Sequence, residues 1–260
     1  MSSWRLLLTR PANECATQVP ELAAAGVAAQ PFPLLALEPS VETAIERSLL
    51  LELARYSLVI VVSKTAARLM LERVDRYWPQ PPHAQLWACV GPGTAQILHD
   101  YGLDTASPEA GRDSEALWAL PAVQHALQRP DARVLIVRGE GGRDWLTQQL
   151  DSQGIAWDSL ALYRRVCPSV GSAELLSHLA AGAINGIVLS SAAGLDNLQH
   201  IAGEHWSQVL RLPLLVPSAR VAEQARALGA PHVVVLRGLR SDELIASLPP
   251  APPPGVISFT

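Results

Sequence analysis

Charge is scarce in this sequence. Charged residues make up 17% of its 260 positions and the formal net charge is −4. It therefore has neither the basic surplus of a general nucleic-acid binder nor the charge density of a disordered chain. There are three cysteines, Cys15, Cys89 and Cys167, an odd number without CxxC spacing. That excludes a disulfide framework and a thiolate metal or redox site, and it fits a reducing compartment. The seven histidines are scattered. His200 and His205 lie five apart, off one helical face, so no metal is expected. No run approaches the roughly 20 apolar residues of a membrane span. The opening MSSWRLLLTRP is too short in apolar residues for a leader, so a cytoplasmic protein is expected. The chain has no GxxxxGK[ST] loop and no GxSxG elbow, and no histidine is placed by sequence near Ser63 or Ser191. Neither a P-loop nor a hydrolytic triad is expected.

What the sequence has is a repeat. RLLLTRPANECATQVPELAAAGVAAQPFPLLAL from Arg5 runs parallel to RVLIVRGEGGRDWLTQQLDSQGIAWDSLALYRR from Arg133. The shared spacing sets Arg10 on Arg138, Gly26 on Gly154 and Ser63 on Ser191. It then slips by one, setting Gly102 on Gly229 and GRDSEALWAL from Gly111 on GLRSDELIASL from Gly238. Two copies point to two related domains rather than a solenoid. In each copy, short apolar runs rich in β-branched residues (LVIVVS, LWACVG, GIVLSS, HVVVLRG) alternate with stretches of helical spacing such as TAARLMLERVDRYW. Five such strands per copy predict an α/β fold of two flavodoxin-like parallel sheets, each covered on both faces. The seven tryptophans form no group in the sequence and are expected to pack in the core.

Two segments are too long for one small sheet, Val27 to Pro39 and Ile155 to Pro168. Thirteen extended residues would span roughly 40 Å. Pro31, Pro33 and Pro39 also bar a central strand throughout the first. Both segments are read as crossings from one domain to the other, with a long surface loop as the alternative. The tail at 249–260 is proline-rich, ordered only by contact if at all.

Ligands of open parallel sheets bind beyond the carboxyl ends of the strands. The loops there are TRP (Thr9–Pro11), SKTAA (Ser63–Ala67), GPGTA (Gly91–Ala95), RGEGGR (Arg138–Arg143), SSAAG (Ser190–Gly194) and PSARVA (Pro217–Ala222). Ordinary N-capping accounts for any one of them. Six together point to a ligand with several anionic groups, held by backbone N–H groups at helix starts. RGEGGRD is no dinucleotide fingerprint, because Asp144 stands where the third glycine belongs. Its duplicate, RPANEC, has no glycine. What the two loops share is the arginine, Arg10 and Arg138, whose fork pairs with carboxylate as readily as with phosphate. Tyr163 lies on the return crossing beside Arg164 and Arg165, placed either to face the space between the domains or simply to pack.

LLLTRP, VVSKTAA, CVGPGTA, RGEGGRDWL, LALYRRV, LSSAAGL and SDELIASL, in that order over almost the full length, resemble the uroporphyrinogen-III synthase family. The resemblance implies two domains joined by a two-stranded β-ladder, one built from 1–36 plus 168–260 and the other, 39–165, inserted into it. It implies a lyase of porphyrin and heme biosynthesis that cyclises hydroxymethylbilane in an interdomain cleft, inverting ring D and losing water. It implies no cofactor and no metal, and a monomer in at most transient contact with the enzyme supplying its substrate. Tyr163 matches the family's tyrosine on the crossing strand, placed to assist departure of the hydroxyl. Ser63, Thr94, Ser191 and Ser218, with the loops at Gly91, Gly139 and Ser190, match carboxylate binders; Arg10, Lys64, Arg138 and Arg220 are charge complements. SKTAA departs from the family's usual Pro or Gln after the serine, and VPSARVAE departs in the last loop. Without the resemblance, a two-lobed binding protein for an anionic small molecule fits the same residues. A nucleotide-binding regulator fits them less well.

Overall fold

The computed structural model describes residues 4–109, 113–142, 144–181 and 183–253. Gly111, Arg143 and the tail from 254 on lie outside these residues. In chain order the elements are β1 (Arg5–Leu8), α1 (Ala12–Ala24), β2 (Ala28–Pro31), β3 (Ala36–Pro39), α2 (Ala44–Leu51), β4 (Leu58–Val61), α3 (Lys64–Tyr77), β5 (Leu86–Cys89), α4 (Pro92–Asp100) and β6 (Thr105–Ala106). Then follow α5 (Ser114–Trp118), α6 (Pro121–Leu127), β7 (Arg133–Gly139), α7 (Trp145–Ser152), β8 (Ala156–Val166), α8 (Ser172–Ala181), β9 (Gly186–Val188), α9 (Ala192–Ala202), α10 (Trp206–Val209), β10 (Leu214–Val216), α11 (Ala219–Ala227), β11 (Val233–Val235) and α12 (Ser241–Ser247). The chain divides into two compact units, 1–36 with 166–260, and 37–165.

The first unit holds a five-stranded sheet in the order β11-β10-β9-β1-β2, parallel at every pairing. The second holds a six-stranded sheet in the order β3-β8-β7-β4-β5-β6. Its pairings from β8 through to β6 are parallel. The repeat explains the likeness of the two orders. β7 and β8 are the copies of β1 and β2, while β4, β5 and β6 are the copies of β9, β10 and β11. Both sheets are thus doubly wound in the flavodoxin order, the second with its copies permuted in sequence and with β3 added beside β8. The long segment from Val27 to Pro39 breaks into β2 and β3 around Pro33, whereas its partner stays whole as β8. β6, the fifth strand of its copy, is only two residues long.

Each sheet is buried on both faces, which is why its strands read as unbroken apolar runs. In the second unit Val59, Val61, Leu135 and Val137 fill one core, and Leu58, Ile60, Val134 and Ile136 fill the other. In the first, Leu7, Ile187 and Leu214 face one way and Leu6, Leu8 and Val188 the other. Trp4 and Trp87 are core residues as expected, but Trp118 and Trp145 meet edge to face at 6.1 Å. The aligned glycines Gly26 and Gly154 end α1 and α7 at φ +78° and +66°, the left-handed region that favours glycine. At each end the following amide closes back on the helix, Val27 N–H on Leu22 O and Ile155 N–H on Leu150 O, both 2.9–3.0 Å.

Candidate active site

The carboxyl ends of β4, β7 and β8 surround a pocket of about 290 Å³ in the second unit. Ser63, Arg138, Gly139 and Tyr163, all singled out from the sequence, line it together. β8 positions the tyrosine. Its register against β7 runs evenly from Arg133↔Ala156 to Arg138↔Ala161, then skips so that Gly139 faces Tyr163. Strict alternation would put Tyr163 on the face opposite Leu160 and Leu162. The bulge shifts the phase by one residue, and all three share one core. Tyr163 is 3% exposed.

Gly139 leaves the room this requires. A Cβ there would stand 2.6 Å from Cε2 and Cζ of the Tyr163 ring, closer than real Cβ contacts come. The Glu140 amide donates to Tyr163 O at 2.7 Å, pinning the strand beside the loop. Tyr163 Oη lies 3.1 Å from Ser63 Oγ. Ser63 is also the N-cap of α3, accepting the Ala66 amide at 3.1 Å. The Arg165 guanidinium sits 5.9 Å from the Tyr163 ring centroid, within cation–π range. Arg138 pairs with Asp144 at 3.5 Å.

Lys64, Gly91 and Thr94 belong to the neighbouring loops of the same unit. Gly91 caps α4, Thr94 is buried in its first turn, and the end of the Lys64 side chain lies against Gly93. Arg10, Ser190, Ser191, Ser218 and Arg220 belong to the first unit. Ser191 caps α9 through the Gly194 amide at 3.0 Å and Ser218 caps α11 through Val221 at 3.5 Å. Ser190 is half-buried in the loop before α9, and Arg220 is exposed in the first turn of α11. Arg10 donates to Leu239 O at 2.9 Å and pairs with Glu14, so its fork is engaged within its own unit.

Arg165, Asp113, Ser114 and Thr147 also line the pocket, and sequence reasoning did not single them out as site residues. Arg165 could have been found as the residue two beyond Tyr163 on the same strand. Asp113 could have been found as the cap that opens α5, accepting the Ala116 amide at 2.9 Å. Among the described residues no group of three or more His, Cys, Asp or Glu could hold a metal ion. None of the described helices is long and apolar enough to cross a membrane.

The pocket is lined by one phenol hydroxyl, the hydroxyls of Ser63, Ser114 and Thr147, two guanidinium groups and the Asp113 carboxylate. That is a set for orienting an anionic molecule and moving one proton. Its volume lies at the low end of the roughly 300–1,000 Å³ that encloses a drug-sized ligand.

Comparison with known proteins points the same way. The family model described as uroporphyrinogen-III synthase HemD matches residues 17–246. A uroporphyrinogen-III synthase of Salmonella typhimurium (strain LT2) is 32% identical over 94% of this chain and 99% of its own length. That of Escherichia coli (strain K12) is 30% identical over the same shares. A solved uroporphyrinogen III synthase of the extremely thermophilic bacterium Thermus thermophilus, a mutant form, covers 94% of this chain and 97% of its own at TM-score 0.55 and 17% identity. The Helicobacter pylori 26695 structure gives 94%, 97%, 0.55 and 12%. At those identities the structures speak for the fold alone.

Proposed function

The chain belongs to the uroporphyrinogen-III synthase family, and from that premise we propose that the pocket around Tyr163 is where its reaction is promoted. The protein is a lyase of porphyrin biosynthesis that cyclises hydroxymethylbilane. The single observation behind the placement is the Tyr163 hydroxyl, held 3.1 Å from Ser63 at the mouth of strands whose ends also supply Arg138 and Arg165.

The proposed chemistry is short. The hydroxymethyl C–O bond breaks as Tyr163 gives its proton to the departing hydroxyl, which leaves as water. The cation left behind is attacked by the substituted carbon of the terminal pyrrole, and the strained adduct rearranges to the inverted ring. The ring system then sheds a proton, which restores the phenol. Most of this reactivity resides in the pyrroles, so the protein's main task is to hold the chain in one curled conformation. The pocket is too small for four rings and takes one, with Arg138 and Arg165 meeting carboxylates there. Ser190, Ser191, Ser218 and Arg220 are proposed to bind other carboxylates from the first unit. Lys64, Gly91 and Thr94 do so from the second. Arg10, already engaged by Leu239 and Glu14, contributes only if that pairing exchanges for a substrate carboxylate.

We take the working form to be a monomer in the cytoplasm, where its three unpaired cysteines fit a reducing milieu. Family membership disfavours a binding protein without catalysis. Supplying hydroxymethylbilane and identifying the ring isomer tests the function: the inverted isomer is expected, formed faster than spontaneous closure. Only the non-inverted isomer, at the spontaneous rate, would reject it.

A further inference from the structure

Ser63 makes two contacts that bear on the Tyr163 proton. Its Oγ accepts the Ala66 N–H at 3.1 Å, and it lies 3.1 Å from Tyr163 Oη. A serine hydroxyl has one proton and two lone pairs. If Tyr163 donated to Ser63, the phenol proton would be held inside the protein and unavailable to a ligand. If Ser63 donates instead, the phenol O–H is left free for the pocket. The same Ser63 O–H then stays bonded to the tyrosine oxygen as negative charge develops on it, where a charge-assisted hydrogen bond is stronger. The amide on Ser63 and the amino end of the fourteen-residue α3 polarise the serine in the direction that favours donation.

We propose that Ser63 is a positioning residue: capped onto α3, it donates its proton to Tyr163 Oη and so keeps the phenol proton available to the reacting hydroxyl. This rests on the reading of Tyr163 as proton donor. It also gives Ser63 a different task from binding carboxylate, since both its contacts are already taken up within the protein.

Turnover and KM for hydroxymethylbilane, measured on the full chain, test it with three variants. Ser63→Ala is expected to lower kcat about ten-fold with KM nearly unchanged, below the roughly 10²–10⁴ range of a general acid itself. Ser63→Thr, which keeps both the cap and a hydroxyl, is expected to restore most of the rate. Ser63→Asp keeps the cap, but an ionised carboxylate can only accept. It would draw the phenol proton to itself, so kcat should fall at least as far as in Ser63→Ala. In a Tyr163→Phe background, itself expected to lose about 10- to 100-fold in kcat, no further than the low end of the general-acid range, Ser63→Ala should cost nothing further. The inference fails if Ser63→Asp turns over like the parent, if Ser63→Ala raises KM at unchanged kcat, or if its loss persists beside Tyr163→Phe. Should Ser63→Ala not fold, the Asp and Thr variants decide alone, with helical content followed by circular dichroism. An unchanged kcat in Tyr163→Phe would remove the proton-donor reading and this inference with it. A loss there, with Ser63→Ala at full rate, would remove this inference only.

Discussion

At the scale of single residues, the site depends on one side chain that is missing. Gly139 lets the Tyr163 ring come close against β7, where a Cβ would collide with it. Gly139→Ala keeps every functional group of the pocket yet forces the ring aside, so kcat should fall much as in Tyr163→Phe. Stability should drop by about 1–3 kcal/mol, as for other overpacked sites; steady-state kinetics and a melting curve check both, and a normal kcat would show that the ring's placement is immaterial. A second residue-scale test lies at the other end of the same strands. Asp158 accepts from Arg133 Nε and Tyr56 Oη, both at 2.9 Å. Burial pushes its carboxyl up, but the hydrogen bonds from Arg133 and Tyr56 outweigh that and hold it below the ordinary range. A depressed carboxylate stabilises the fold above its unfolded pKa and loses that contribution as pH falls through the folded value. Asp158→Asn should therefore cost about 1–3 kcal/mol near neutrality. The gap to the parent should close below about pH 4, the ordinary Asp value. Denaturant titrations at several pH values read this directly, and a gap that widened in acid would contradict it. Tyr56 moves oppositely: burial first, then Asp158, pushes its phenol up to about 12.

At the scale of elements, the repeated loops cap the helices that follow them. Ser63, Ser191 and Ser218 sit extended at φ −157°, −165° and −161°, each accepting an amide three residues on. The capping interpretation of these loops is thus real, but it does not exclude a ligand. Ser191→Ala should lower stability by about 1 kcal/mol through the lost cap. If Ser191 also meets a substrate carboxylate, KM should rise. Ser191→Asp separates the two, since it keeps the cap while setting a negative charge against the substrate. Unchanged stability with a raised KM is expected, and an unchanged KM would leave Ser191 as a cap alone.

At the scale of the whole molecule, the two units differ in continuity. Residues 37–165 form one uninterrupted stretch with a core on each face of their own sheet. The other unit is assembled from both ends of the chain. The stretch 37–165 produced alone is expected to melt cooperatively with α/β circular dichroism, because no strand of its sheet from β4 to β8 is left behind. Residues 166–260 alone should not, because β1 and β2, two of the five strands of their sheet, would be absent and β9 would lose its β1 neighbour. A non-cooperative melt of 37–165 would count against its independence.

Much of this was legible in the residues themselves. Apolar runs such as LVIV and RVLIV declared strands buried on both faces, because a parallel sheet leaves neither face to water. The spacing from Arg5 to Arg133 declared a duplication and set Gly26 on Gly154, which in the structure both end helices at positive φ. The motifs resembled one family, and the matched family model agrees. Other features were hidden. The pairing of Trp118 with Trp145 spans elements that sequence spacing does not connect. Above all, the bulge at Gly139 and Tyr163 left no mark on the apolar pattern, which by alternation alone sends the tyrosine to the wrong face. Local propensity and periodicity are properties of neighbours in the chain, and these the sequence determined. Which side chains meet across strands, and so that Tyr163 shares a hydrogen bond with Ser63 one hundred residues away, depends on register, and only the tertiary structure decided it.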